Sequence, residues 1–489
     1  MNRLSKILAM FLCLVMLCSA FASCNKKKGN EQNTAANTGT EAESATESTV
    51  LTDENGYVLD DLPDSFDWEE VDFNIYAWSE MKGWEWCQEL TENSTSVDRA
   101  LFNRMRTVED RFKVNFQMTY ELGNWANRVA FVQKLEETKN SGEPFDLVSQ
   151  YSHAAGEAAV KQLYVDLNTT NYVDLDKPWW PEKINETATI GDKLYFATGD
   201  ITPTLVRNIH CMYVNLEIYD AYGTADLFDG RSIYQIVKDG DWTIATMEEM
   251  ALDIVDPVNG MYGISFTNAV TLDAFYFGAG FRMVDNDNGV LELSDDLVNV
   301  TMVDYYDKLT ELYHHINTKD EETDKIGLFH NNKSFVHAAS IADAQRYTEK
   351  GIEFALVPMP KLNSDQTEYY TVGSYWVSMF GIPVNATNLE MSGMILEGLA
   401  SEGHRAVRDK VYFDLFQARF MGDADKAEML DIVTASVIFD AGRTFSTTIG
   451  SVWADIRNGI VGGEAWTTIY ASNSESWETN IMELFTLLG

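Results

Sequence analysis

The stretch from residue 71 to 151 constrains the fold more than any other part of the chain. VDFNIYAW (71–78) alternates apolar and polar side chains, the period-two pattern of a strand. Val97, Leu101, Met105, Val108 and Phe112 then recur every three or four positions, the stripe of an amphipathic helix. KVNFQMTY reads as a second strand, WANRVAFVQKLEETKN as a second helix stopped at Gly142, and FDLVSQY (145–151) as a short buried strand. A helix between successive strands brings the chain back in the same direction, so this order predicts a parallel α/β sheet. Such sheets bind ligands at the carboxyl ends of their strands.

HCMYVN (210–215) opens a second set of elements, and RSIYQIVKDGDWTIATMEEMALDIV reads as two helices around a tight turn at Asp239 and Gly240. DNDNG (285–289) joins two short apolar runs. A calcium loop with Gly289 at its invariant glycine would place Val284, which cannot ligate, at the first position, so a hairpin is expected. FALVPMP (354–360) is a buried strand closed by Pro358 and Pro360, and the chain is helix-rich from about Leu389.

The amino-terminal 65 residues are of another kind. Arg3 and Lys6 precede ILAMFLCLVMLCSAFA, a charge-free apolar run too short for a stable spanning helix and suited to a secretory signal. Phe21, Ala22 and Ser23 before Cys24 resemble the lipobox of bacterial lipoproteins, although Leu is commoner where Phe21 stands. That resemblance implies cleavage before Cys24 and acylation of its thiol; an ordinary signal with a chance cysteine is the alternative. Residues 25 to 65, rich in Thr, Glu, Ser, Asn and Gly, bury too little apolar surface to offset ordering entropy and read as a disordered linker. Two acyl chains anchor stably where one is marginal, so the expected place is the extracytoplasmic face of a bacterial membrane, on a flexible leash.

The whole chain carries 36 basic and 76 acidic side chains, a net charge of −40. Removing residues 1–23 takes away Arg3 and Lys6, leaving 34 against 76, or −42. That balance argues against nucleic acid and anionic membrane surfaces as partners. Beyond the leash the chain is too long for one ordinary core and suits two lobes. Its 12 Trp and 22 Tyr exceed what core filling usually demands, which fits ligand-stacking surfaces and a large core alike. Cys87 and Cys211 remain after maturation and are expected as free thiols; no CxxC, Cys/His cluster or HExxH supports a metal, and no cofactor is called for.

Several strings, taken in order, resemble the extracellular solute-binding proteins of family 1, the lipoprotein or periplasmic receptors of sugar ABC importers. They are FDLVSQYSHAAGEAAVKQLYVDLN, PWWPEKINETATIGDKLYFATGDIT, MYVNLEIYDAYG, IYQIVKDGDWTIATMEEMALDI, FALVPMPK, YYTVGSYWVSMFGIPVNATN and ILEGLASEGHR. The similarity runs from about residue 66 to the end, and its one departure is DIVDPVNGMYGI, which lacks the fuller Asp/Gly-rich turn of relatives. The resemblance implies a two-lobed periplasmic-binding-protein-like α/β fold of type II, similar to maltose-binding protein, with the ligand between the lobes. It implies residues 1–23 as signal peptide, 24–65 as lipidated cysteine and linker, 66–203 plus 339–372 as the first lobe, and 207–335 plus 376–489 as the second. Crossings then fall at ATGDITP, HAASIAD and VGSYW. A carbohydrate ligand and ABC permease subunits are the implied partners of a monomeric, non-enzymatic receptor.

A carbohydrate needs aromatic faces for its C–H patches and planar polar groups for its hydroxyls. Trp78, ending the first strand, and Trp376, in the third crossing beside Tyr375, are the stacking candidates; core packing is the rival reading for Trp78. Gln150 and Tyr151 close the FDLV strand and should face the cleft. Asp200 lies in the first crossing, as ligand acceptor or helix cap. Asp343 and Arg346 follow the second, binding hydroxyls or pairing with each other. Tyr276 and Phe277 read as core, Trp179 and Trp180 as packing around Pro178 and Pro181, and Trp84 and Trp86 as cleft wall or loop support. A secreted carbohydrate-active enzyme and a sensor for a membrane kinase are the rival functions. No GxSxG elbow or phosphate-binding loop is present, but a glycosidase needs only two carboxyls at a set separation, and with 76 acidic residues the sequence does not exclude such a pair.

Overall fold

The structure is a computed structural model describing residues 51–489, apart from 142, 255, 257, 322–326 and 413–422. The signal segment, Cys24 and most of the linker lie outside the described residues.

The predicted strand–helix alternation is present. β1 (Val71–Trp78), β2 (Val114–Glu121) and β3 (Leu147–Tyr151) pair in parallel, with β1 central. The crossovers are α1 (Ser96–Phe112) and α2 (Arg128–Ser141), and α3 (Ser152–Val160) follows β3 directly. α1 begins in a capping box: Thr95 Oγ1 accepts from the Asp98 N–H and the Asp98 carboxylate accepts from the Thr95 N–H. Its apolar stripe of Leu101, Met105, Val108 and Phe112 is buried, the burial that makes this helix form here.

A second sheet holds β4 (His210–Asn215), β5 (Tyr262–Phe266), β8 (Thr318–Asp320), β9 (Ser334–Ser340) and β10 (Phe354–Val357) in the order β10-β4-β9-β5-β8. β6 (Val284–Asp287) and β7 (Val290–Leu293) form the expected hairpin. Asn288 and Gly289 both have positive φ, 52° and 87°, as a two-residue type I′ turn requires. The hairpin docks on the chain near residue 190: the Gly191 N–H donates to Gly289 O at 2.8 Å, and a Cβ at Gly289 would lie 1.9 Å from the Gly191 carbonyl oxygen.

Lobe boundaries differ from the expectation. Segment 339–372, assigned to the first lobe, carries β10, which pairs antiparallel with β4 in the five-stranded sheet. Segment 376–489, assigned to the second, gives the first sheet its fourth strand: β12 (Ser378–Gly381) pairs antiparallel with β3. HAASIAD is no crossing, because β9 lies between β4 and β5 and leads on to β10 of the same sheet. The chain passes from the first sheet to the second over residues 198–209 and returns over 373–377, just past the two-stranded pair of β11 (Thr371–Val372) and β13 (Val437–Ile438). Strands buried throughout or nearly so, such as β9, β10 and β12, carry no solvent-facing pattern that tells which sheet they join.

The remaining helices that matter are α4 (Leu272–Gly278), α5 (Val300–His314), α6 (Leu389–Glu402), α7 (Ala424–Ala435), α8 (Val452–Gly462) and α9 (Trp466–Leu488). α6 packs on α1, α7 on β10, and α5, α8 and α9 on one another. Buried Glu397 of α6 accepts the indole N–H of Trp179 at 3.0 Å and of Trp180 at 2.9 Å, and burial raises its pKa to about 8. Tyr276 and Phe277 are buried in α4, with Phe277 stacked on Trp453. Cys87, half-buried, and Cys211, buried, are free thiols. No described helix is long and apolar enough to cross a membrane.

Candidate functional site

The carboxyl ends of β1, β2 and β3 present aromatic rings along one edge. Trp78 is the last residue of β1, Tyr151 the last of β3, and Trp125 follows β2 after the turn at Gly123. Glycine is required in that turn, since a Cβ at Gly123 would sit 2.6 Å from the Trp78 Cβ. β12 runs antiparallel, so Trp376, two residues before it, reaches the same edge opposite Tyr151. Trp78 and Trp376 lie 5.7 Å apart between ring centroids, Trp78 and Tyr151 5.5 Å, and Tyr151 and Trp376 6.2 Å. His153 continues the row, stacked on Tyr151 at 5.4 Å and meeting Trp125 edge-on at 5.0 Å and Tyr375 at 4.3 Å. Trp376 and Trp125 keep 41 % and 51 % of their surface exposed, whereas Trp78 is buried with its indole N–H on Ser378 Oγ at 2.9 Å.

The opposite edge is ionic. The carboxyl end of β5 leads through residues 267–271 into α4, where Val270 packs against the aromatic group and Asp273 is wholly buried. Arg457 Nη1 donates to both Asp273 oxygens, at 2.6 and 2.7 Å, and Arg443 Nη2 donates to Oδ2 at 3.3 Å. The Tyr375 hydroxyl donates to Asp273 Oδ2 at 3.0 Å, and the Arg443 guanidinium lies 4.0 Å from the Tyr375 ring centroid. Tyr375 thus ties the return crossing to the second lobe, while its carbonyl accepts from Ser152 Oγ at 2.9 Å in the first. Burial, then the charges of Arg443, Arg128 and Arg457, depress the His153 pKa to about 3, so this ring is neutral at physiological pH. A cavity of about 30 Å³ at the crossing is lined by Ser152, Thr198, Tyr375 and Arg443. Thr198 Oγ1 and Arg443 Nε are buried there without a protein partner.

Of the residues singled out from the sequence, the structure brings Trp78, Tyr151, Tyr375 and Trp376 together. Gln150 is instead fully buried in β3, donating from Nε2 to the Tyr164 hydroxyl. Asp200 pairs with His404 Nδ1 at 2.6 Å and lines a separate groove of about 280 Å³ with Arg408. Asp343 caps its own turn, accepting from the Ser340 N–H at 3.1 Å and its hydroxyl at 3.0 Å, and Arg346 pairs with it at 3.3 Å while half-exposed. Local capping and pairing account for these two without a ligand. Trp84 is exposed beneath the Arg207 guanidinium, 3.8 Å away, and Trp86 is buried against Arg104. Sequence reasoning missed Trp125, His153, Asp273, Arg443 and Arg457. Only Asp273 carried a signal: a carboxylate inside the otherwise apolar run LDAFYFG must be paired if it is buried.

Two α/β sheets joined by crossing segments, with an aromatic edge facing a charged one, define a two-lobed binding-protein fold. The chain belongs to the bacterial extracellular solute-binding proteins, whose family pattern matches residues 112–401. Solved structures share the fold. An ABC substrate-binding protein, Lmo0181 from Listeria monocytogenes, in complex with cycloalternan aligns with a TM-score of 0.52 at 14 % identity, over 86 % of this chain and 100 % of that one. The maltose-binding protein MalE of the same organism, in complex with maltose, aligns at 0.55 and 14 %, over 85 % and 99 %. UgpB from Mycobacterium tuberculosis, in complex with glycerophosphocholine, aligns at 0.55 and 16 %, over 85 % and 97 %. No curated protein sequence matches the chain.

Proposed function

We propose that this protein is a lipid-anchored receptor that delivers a carbohydrate, in particular an oligosaccharide, to an ABC importer by closing two lobes around it. The observation that carries the reading is the run of rings on the first edge, with Trp376 and Trp125 exposed. Exposed flat rings suit the C–H faces of sugars, and the similar Lmo0181 and MalE structures hold cycloalternan and maltose. The first lobe is the four-stranded sheet with α1, α2, α3 and α6; the second is the five-stranded sheet with α4, α5, α7 and α8. Ligand binding energy is shared between holding the solute and closing the lobes. Cys24 is the anchor, residues 25–65 the leash, and the receptor acts as a monomer without catalysis.

Thermal unfolding of the purified protein against mono- and oligosaccharides, with amino acids and glycerophosphodiesters as controls, tests this reading. A sugar present at ~100 times its dissociation constant should add about 2.7 kcal/mol of stability and be recovered intact. A cleaved sugar points to an enzyme, and a response confined to the controls rejects the carbohydrate assignment. Labelled fatty acid should enter the expressed wild type and not the Cys24→Ala variant.

A further inference from the structure

Glu85 closes the short helix Lys82–Glu85 just beyond Trp78, and it is wholly buried. A carboxylate in that setting is costly unless its oxygens are satisfied. Here hydroxyl groups surround it. Oε2 accepts from Ser149 Oγ at 2.8 Å, Oε1 accepts from Thr202 Oγ1 at 2.6 Å and Thr204 Oγ1 at 3.4 Å, and the Ser378 hydroxyl also donates to it. Arg104, equally buried, donates to the Glu85 carbonyl at 2.6 Å and to the carbonyl of Ile201.

The donors come from three places that matter for closure. Ser149 is in β3, Thr202 and Thr204 are in the outgoing crossing, and Ser378 begins β12 where the return crossing ends. The two crossings are also tied directly, by the Ser378 N–H donating to Thr204 Oγ1 at 3.0 Å. Ser378 Oγ accepts the Trp78 indole N–H. One carboxylate therefore joins both connections between the sheets to a ring of the aromatic edge. Only an acceptor with two oxygens, and so about four lone-pair sites, can take these hydroxyls together; an amide offers one such oxygen.

We propose that Glu85 is a positioning residue for cleft closure: it fixes the first-lobe ends of the crossings at 198–209 and 373–377, and orients Trp78 through Ser378. The Trp78 part rests on the solute-binding reading above; the crossing part does not.

Hydrogen exchange of the purified protein, read with no sugar present, tests it. In Glu85→Gln, amides over 198–209 and 372–380 should exchange at least tenfold faster, with β2 and α2 unchanged. Ser378→Ala should loosen 372–380 alone, and Thr202→Val should loosen 198–209 alone, so the two single variants decide the matter if Glu85→Gln does not fold. Wild-type exchange in both crossings, or uniform acceleration across the whole first lobe, overturns the proposal. Because no sugar is present, failure here is separate from failure of the carbohydrate assignment.

Discussion

The two edges that meet at the crossing solve opposite problems. On the first, Trp376 and Trp125 stay substantially exposed, which rings tolerate because they leave no polar group unsatisfied on their faces. On the second, Asp273 and Arg443 are buried charges, and they persist only because Tyr375 and Arg457 complete the set. The aromatic edge is free to meet a solute, whereas the ionic edge is locked by its own partners. Removing a ring should therefore affect binding far more than folding, and removing a charge the reverse.

The largest expected effect breaks the ionic edge. Asp273→Ala strands two guanidiniums and should cost ~3–5 kcal/mol in urea unfolding, the range for a broken buried pair. A loss under 1 kcal/mol would mean that the edge is not held by this carboxylate. Glu397→Ala asks the same question inside the first lobe with neutral donors. Losing the acceptor of two indole N–H groups should cost about 1–3 kcal/mol, less than Asp273→Ala, and the reverse ranking would contradict the charge argument.

His153 sets the pH response of the boundary between the edges. Its folded pKa of about 3 lies below the unfolded 6.5, so the unfolded chain takes up the proton first as pH falls. The stability it contributes is complete above pH 6.5 and drains toward pH 3, by at most ~1.4 kcal/mol per unit. The difference in stability between wild type and His153→Phe should carry that slope; a flat difference would place His153 in contact with solvent.

On the aromatic edge, Trp376→Ala should weaken sugar binding by at least ~1 kcal/mol in calorimetric titration and leave the melting temperature nearly unchanged. Full affinity would remove Trp376 from the site. Smallest is Arg346→Ala, where a half-exposed pair with Asp343 is expected to matter by under ~0.5 kcal/mol and binding to stay at wild type. A measurable loss of affinity there would restore it to the cleft.

Much of the fold was legible in the sequence. Val71 to Tyr151 announced its strands and helices because period-two and period-3.6 patterns arise from neighbours a few residues apart. Asn288 and Gly289 likewise announced their turn through backbone preference. Lobe membership was less legible: β9, β10 and β12 are buried almost throughout, and nothing local distinguishes a strand bound for one sheet from a strand bound for the other. At the site, strand ends pointed to Trp78 and Tyr151, but Gln150, one residue away, faces Tyr164 by the alternation of the same strand. Asp273, Arg443 and Arg457 meet across gaps of 170 and 184 residues, beyond the reach of any periodicity.

By itself, then, the sequence determined the alternation of elements, the acidic surface and the membership of the extracellular solute-binding proteins, all of which follow from composition and short-range pattern. Only the tertiary structure decided which strands share a sheet, which rings line the edge and which charges neutralise each other. Those outcomes depend on burial and hydrogen-bond satisfaction between segments far apart in the chain, and the free energy of each pairing exists only once the partners have been brought together.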